Sequence, residues 1–319
     1  ILDAELEAVY RGWAGHTFLG IAGFSELRLD DVVPPGNGPG GRLEGRDRRH
    51  GSLAIQDEIA FHDRLQVTAG LRYDTYDDVG DQLSPRIAAV FRLNQNRGAA
   101  VRHILKTQYG RAFRPPSFLE MVANANEDPI TESETVDTVE LGYIRRSTAL
   151  LCRLTLFHSE MTARDGYAGP ASGVIDGRSR GAEMELNARL PGTRIEVEGT
   201  LSRSWTDWSL AADEVPETAD WLGSLGVLFE PTSWLSLSSR CRWAGDRGGG
   251  LDDTLTVDLT AGLAPFQNRD IRLRAGVKNL FAEDFRYPIT GDPADGEALL
   301  TWAGEAPDRW WWATFTVSF

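Results

Sequence analysis

The sequence predicts an all-β chain: an antiparallel up-and-down transmembrane β-barrel of about 15 strands. Three observations predict it. Nearly every ordered stretch alternates apolar and polar residues with period two, the pattern of a strand with one face buried in apolar surroundings. The runs are roughly 9–12 residues long, the length a tilted strand needs to cross a bilayer. The connections alternate short and long, which in an up-and-down sheet puts tight turns at one end and long loops at the other.

In chain order the predicted strands are 2–10, 15–24, 51–61, 64–74, 83–93, 100–111, 134–144, 149–160, 179–189, 193–205, 219–229, 234–244, 254–264, 271–281 and 309–319. The clearest alternation is in 254–264. There Leu255, Val257, Leu259, Ala261 and Leu263 share one face, and Thr254, Thr256, Asp258, Thr260 and Gly262 the other. The 66–74 stretch sets Val67, Ala69, Leu71 and Tyr73 against Gln66, Thr68, Arg72 and Asp74. Short connections fall at 11–14, 62–63, 94–99, 145–148, 190–192, 230–233 and 265–270. Long ones fall at 25–50, 75–82, 112–133, 161–178, 206–218, 245–253 and 282–308. The one helical signal is a single turn at 117–122 inside a long loop.

Aromatic residues collect at strand ends: Tyr10, Trp13, Tyr73, Tyr76, Tyr143, Trp205, Trp208, Trp221, Trp234, Trp243 and Trp310 to Trp312. Amphipathic rings favour the two water–lipid interfaces and form girdles there. Trp311, Ala313, Phe315, Val317 and Phe319 make an apolar face running to the terminal carboxylate. The opposite faces carry Arg72, Glu140, Arg153, Glu183, Glu185, Glu196, Glu198, Arg240, Arg242, Asp258, Arg272, Arg274 and Lys278. Such a charge density suits a wide, wet or plugged lumen.

Composition excludes other classes. The 319 residues carry 33 Lys+Arg against 47 Asp+Glu, a net charge of -14, which disfavours a nucleic-acid partner. Two cysteines, Cys152 and Cys241, are too few for a disulfide scaffold or zinc site. Both fall on apolar faces and read as lipid-facing residues. No apolar run reaches the ~18–20 residues of a membrane helix. Ile1 opens inside an alternating pattern with no apolar leader, so the chain reads as a processed product or a fragment. An odd strand count points the same way, because bacterial single-chain barrels have an even number.

Several motifs then converge. Gly70-Leu71-Arg72-Tyr73-Asp74 is followed by Leu83-Ser84-Pro85-Arg86 and by Tyr109-Gly110-Arg111-Ala112-Phe113-Arg114-Pro115-Pro116-Ser117 with Glu120. Thr138-Val139-Glu140-Leu141-Gly142-Tyr143, Ser179-Arg180-Gly181-Ala182-Glu183, Val277-Lys278-Asn279-Leu280-Phe281 and the terminal Phe319 complete the series. In this order and spacing the chain resembles the C-terminal part of the barrel of TonB-dependent outer-membrane receptors. The resemblance implies a plugged barrel of 22 strands. Residues 1–319 would then be a partial barrel, without the N-terminal plug domain, the energy-coupling box or the first strands. Locally, Arg114-Pro115-Pro116 ends a strand in an extended exit. Gly142 and Gly181 relieve crowding or permit curvature, and Asn279 at a strand end can bond its neighbouring backbone.

Catalytic chemistry is not written here. His16, His50, His62, His103 and His158 show no metal spacing, and His158 and Ser159, adjacent on a strand, point to opposite faces. No nucleophile elbow, P-loop or dinucleotide fingerprint is present. Asp74, Asp77, Asp78 and Asp81 around one outer loop could bind Ca²⁺ but lack a calcium-loop spacing, so they read as a solvated loop tip. Glycines at 36–41 and 248–250 make two loops flexible. The expected ligand contacts are Arg111, Arg114, Phe118, Trp205, Trp208, Arg286, Tyr287 and Trp302, since arginines and aromatics suit an anionic or aromatic iron chelate.

The expected function is a Gram-negative outer-membrane receptor that takes up a scarce bulky nutrient, a ferric siderophore first, haem or cobalamin next. The resemblance supplies the energy source, the TonB complex acting through the N-terminal region. Expected partners are outer-membrane lipid, the ligand and that complex, with no nucleic acid, no cofactor and no resident metal. The alternative is a passive porin. An outer-membrane enzyme would need a constellation that the strands do not carry, and a soluble β-domain would need no detergent.

Overall fold

The computed structural model describes residues 1–29, 45–94, 100–123, 132–164, 174–208, 219–247, 252–264, 271–283, 288–290, 300–302 and 309–317. Alternation over this length leaves each strand one way to satisfy its backbone, by pairing with a neighbour, and the chain does so strand after strand. The strands are β1 (Leu2–Tyr10), β2 (His16–Leu29), β3 (Arg46–His62), β4 (Leu65–Tyr76), β5 (Gly80–Arg92), β6 (Arg102–Arg114), β7 (Glu134–Arg146) and β8 (Leu150–Arg164). They continue with β9 (Val174–Arg189), β10 (Ile195–Trp208), β11 (Ala219–Phe229), β12 (Leu235–Arg247), β13 (Thr254–Leu263), β14 (Ile271–Lys278), β15 (Pro288–Thr290), β16 (Leu300–Trp302) and β17 (Trp310–Val317). One helix, α1 (Phe118–Ala123), follows β6.

β1 through β14 and then β17 form one 15-stranded sheet in chain order. Each neighbouring pair is antiparallel, as between β9 and β10. Among the described residues β1 and β17 are its two edges. All 15 strands of the large sheet were legible as alternation. β15 and β16 were not; they pair only with each other, three residues each, within the stretch read as a single long loop.

Registers fix the two faces. Leu53 lies opposite Tyr73 and Tyr73 opposite Leu83, while on the other face Ser52 lies opposite Asp74 and Asp74 opposite Gln82. The first face is apolar and exposed. Ile55 is 61% exposed, Leu156 47% and Phe315 64%. Among the described residues few apolar side chains are buried: Val79, Phe118, Met121, Ile144 and Val277, with Pro116 beside α1. This inverts a water-soluble protein, and hydrocarbon is the medium that suits such a face. Cys152 and Cys241 both lie on it and are free thiols.

At the short-turn end, Tyr10, Trp13, His16 and Phe18 pack ring on ring, with Trp13 and Phe18 edge to face at 5.3 Å. At the long-loop end, Trp221 and Trp243 lie 6.0 Å apart. These are the two girdles. Tyr76 departs from them. It sits on the polar face and stacks on His50 at 4.3 Å.

The opposite face is a ladder of ion pairs. Arg153 meets Glu185 at 2.6 Å and Arg242 meets Asp258 at 2.7 Å; Arg189 pairs with Glu196 and Arg240 with Glu198. Such exposed pairs contribute about 0–1 kcal/mol each. Their consequence is a hydrated wall.

The strand ends depart from expectation on the loop side. β2 runs on to Leu29, β3 begins at Arg46 and β8 reaches Arg164. Beyond the bilayer both faces meet water, so the ladder continues while the apolar alternation fades. The connection expected over 75–82 is only three residues, 77–79, closed by Gly80 at φ 79°. Asn279 behaves as its position suggests. At φ 50° its side chain donates to the Glu283 carbonyl (2.8 Å) and accepts from the Glu283 N–H (2.9 Å). A Cβ on Gly181 would lie 2.2 Å from the Arg203 carbonyl oxygen, so the β9–β10 approach requires glycine there. Gly142 is different, with ordinary contact distance to its neighbours.

Candidate functional site at the outer mouth

Among the described residues, the long-loop end of β2–β6 carries a buried apolar cluster, and it is built on the polar face. Arg48, opposite Leu27 on β2, is its centre. Its Nε donates to both oxygens of Asp78, at 3.0 and 2.7 Å. Its Nη2 donates to the Pro116 carbonyl at 2.8 Å and to Met121 Sδ at 3.4 Å. Its guanidinium lies over the rings of Phe118, at 4.9 Å, and Tyr76, at 5.8 Å. Val79, Phe118 and Met121 are buried together, with Leu27, Leu29 and Tyr76 packed on them. One arginine thus ties the stretch after β6 down onto β2–β5.

The helix itself is set by a capping box. The Ser117 N–H donates to Glu120 at 2.6 Å, and the Glu120 N–H donates back to the Ser117 hydroxyl at 3.3 Å. Arg114 grips the same carboxylate with two donors, at 3.1 and 2.8 Å, and reaches Glu134 at 2.7 Å. Burial works to raise the Glu120 carboxyl. The bonds from Arg114 and Ser117 outweigh it and hold the group down at about 2, against an ordinary 4.5.

Below Arg48, Asp74 is 1% exposed. It accepts from Arg72, whose Nη2 lies 2.8 Å from Oδ1, and pairs with His50 Nε2 at 2.7 Å. The four aspartates of this turn therefore do not converge on one point. Asp74 serves Arg72 and His50, Asp78 serves Arg48, Asp77 accepts from the Arg49 N–H, and Asp81 accepts from Tyr73 and Thr75. Among the described residues no cluster of metal-ligating side chains forms, and Asp74 is a buried structural group, not a solvated tip.

Arg114 and Phe118 lie in this assembly. Arg111 lies elsewhere. It shares a face with Tyr109 and Val139, on the outer surface, and is held by Asp137 at 2.8–3.0 Å. Trp205 also faces outward, beside Arg203. Trp208 ends β10 opposite Gly177, and Trp302 ends the small hairpin opposite Pro288. Arg286 and Tyr287 lie outside the described residues, as do the glycines at 36–41 and 248–250. Arg48 and His50 were missed, although Arg46, Arg48 and His50 alternate in sequence. That signal stood in a stretch read as loop.

Farther down the polar face a depression of about 610 Å³ is lined by Lys106, Gln108, Glu140, Arg153 and Glu183 among others. A second, of about 730 Å³, lies at the short-turn end by Arg189 and Glu196. The mouth can thus present fixed guanidinium groups to an anion above a hydrated wall.

Known proteins share this fold. The family model described as TonB dependent receptor-like, beta-barrel matches residues 2–280. The ferric enterobactin receptor of Pseudomonas aeruginosa is 26% identical over 93% of this chain and 47% of its own length. A solved structure of that receptor superposes with a TM-score of 0.70 at 21% identity, over 99% of this chain and 53% of its own. The siderophore receptor PirA of Acinetobacter baumannii gives 0.70 at 16%, over 99% and 54%. The chain spans about half the length of these relatives. The family is one of outer-membrane transport receptors of Gram-negative bacteria, not of enzymes. By its sequence over residues 2–280, and with a fold to match, this chain belongs to the TonB-dependent receptor β-barrel family.

Proposed function

We infer that the protein carrying this barrel takes up a ferric siderophore across the outer membrane, with energy supplied by the TonB complex. The observation that carries this reading is the family match over residues 2–280. Two features of the mouth support it. α1 is held in place by a capping box and by Arg48 and Arg114, which gives a ligand a preformed wall. Arg72 and Arg114 keep 44% and 54% of their side chains exposed there, so their free donors can meet an anionic chelate. The catecholate class is favoured because the similar receptor of P. aeruginosa is one for ferric enterobactin.

Of the eight residues expected to touch ligand, Arg114 is the one this reading favours, because it shares the polar face of β6 with Gln108 and lies at the mouth. Phe118 acts beneath it as a packing support. The test is binding of ferric enterobactin to the full-length receptor in detergent, read by quenching of tryptophan fluorescence. Saturable binding is expected. Arg72→Ala should weaken it by roughly tenfold, the scale of one charge-assisted hydrogen bond. Quenching that never saturates would indicate a diffusion channel instead.

A further inference from the structure

The outward surface of β8–β11 changes character near its long-loop end. Up to Leu156, Ala182 and Met184 it is apolar. Arg203 on β10 enters at the row of Leu156 and Ala182, between Ala182 and Trp221, and in the next row His158 lies opposite Arg180 and Arg180 opposite Trp205. Arg180 and Arg203 therefore sit at diagonal positions on neighbouring strands, within reach of one small anion. One row farther out are Glu160, Arg178 and Asp207. Glu160 is already engaged there, by Arg178 at 3.7 Å and His158 at 3.4 Å.

Arg203 is held in an uncommon way for a residue that faces lipid. Its guanidinium lies 4.3 Å from the Trp205 ring centre and 4.7 Å from that of Trp221. Its Nε is buried and has no hydrogen-bond partner. Neither Arg203 nor Arg180 has a carboxylate partner among the described residues. An arginine on the lipid face is tolerated near the interface, where it can reach an anion. Two tryptophans fix both the depth and the plane of this one. A phosphate accepts two donors from a guanidinium fork in a single plane. We propose that Arg180 and Arg203, framed by Trp205 and Trp221, form a site for the phosphate of an outer-leaflet lipid headgroup. The lipid's acyl chains lie along the apolar face below, over Leu154, Met184 and Leu201, and its phosphate neutralises two like charges that would otherwise repel.

The test uses the full-length receptor in neutral detergent, with bisphosphorylated lipid A as probe. Native mass spectrometry counts retained lipid, and the thermal midpoint is followed in parallel. One adduct and a raised midpoint are expected. Arg180→Gln with Arg203→Gln should reduce retention at least tenfold. Arg145→Gln, on the same face at the short-turn end, should leave it unchanged. Circular dichroism checks that each variant is folded, and the single substitutions stand in if the double variant is not. Equal retention by the double variant would overturn the proposal. So would equal retention of diacylglycerol, which has the acyl chains but no phosphate and would mark a purely apolar belt. Displacement by inorganic phosphate as efficient as by lipid would also overturn it, since that would mark a free-ion site.

Discussion

At the scale of single residues, the mouth depends on a few charged groups placed where water is scarce. Asp74 is the extreme case, 1% exposed with Arg72 and His50 as partners. Replacing it with alanine strands both partners at once. Asp74→Ala should therefore lower stability by about 1–3 kcal/mol, read as a shift in the urea midpoint of the folded barrel. Glu120 gives a pH test. Its folded value lies near 2, below the ordinary 4.5, so its contribution is complete above about 4.5 and is lost as pH falls toward 2. Met121, the next residue of α1, is buried with Val79 and Phe118 and is one of three methionines. Its methyl NMR signal should hold steady from pH 7 to 5 and then move as pH falls to 2. In Glu120→Gln the signal should sit away from the wild-type position at every pH. A Met121 signal that ignores both changes would mean the cap does not hold α1. These roles were only half legible. A single turn at 117–122 was expected, but the capping-box spacing of Ser117 and Glu120 that sets it was overlooked. The partners of Arg48 lie 30 to 73 residues away, and no local pattern reports such distances.

Among the elements, the strand is the unit that decides both fold and environment. Period two was strong because one face must satisfy hydrocarbon and the other water. It weakened where both faces meet water, and there the strand ends ran past expectation: Leu29, Arg46 and Arg164 lie in such stretches. The three-residue strands β15 and β16 are too short to show any period. Neighbouring residues of β8 give a direct test of the faces. Leu156 is 47% exposed on the apolar face, and Thr155 lies on the other. Leu156→Arg should cost about 1–2 kcal/mol, less than at the bilayer midplane because Arg203 shares its row near the interface, and Thr155→Arg far less, compared by denaturant unfolding in lipid. Similar costs for both would deny that the two faces meet different media. The Gly181 backbone gives a second test. A methyl group would lie 2.2 Å from the Arg203 carbonyl, so Gly181→Ala must push β9 and β10 apart. A loss of about 1–3 kcal/mol is expected, read as a lower temperature for the heat-induced mobility shift in gels.

For the whole molecule, the apolar exterior, the ion-paired polar wall and the clamped mouth form one design. Each strand contributes to both surfaces, and long connections gather the loops at one end. The sequence carried this architecture through repetition, since fifteen alternating runs and the loop asymmetry repeat the same information. The ligand is less legible, because specificity rests on a few side chains from many strands and loops. Arg286 and Tyr287, two of the expected contacts, lie outside the described residues. The proposed function is energy-coupled uptake of a ferric siderophore. Its most direct test is accumulation of radioactive iron from ferric enterobactin, by cells whose only siderophore receptor is the full-length protein, with and without TonB. Saturable uptake that disappears without TonB is the predicted result. Uptake that persists without TonB and rises linearly with concentration would contradict the claim and make the barrel a passive channel.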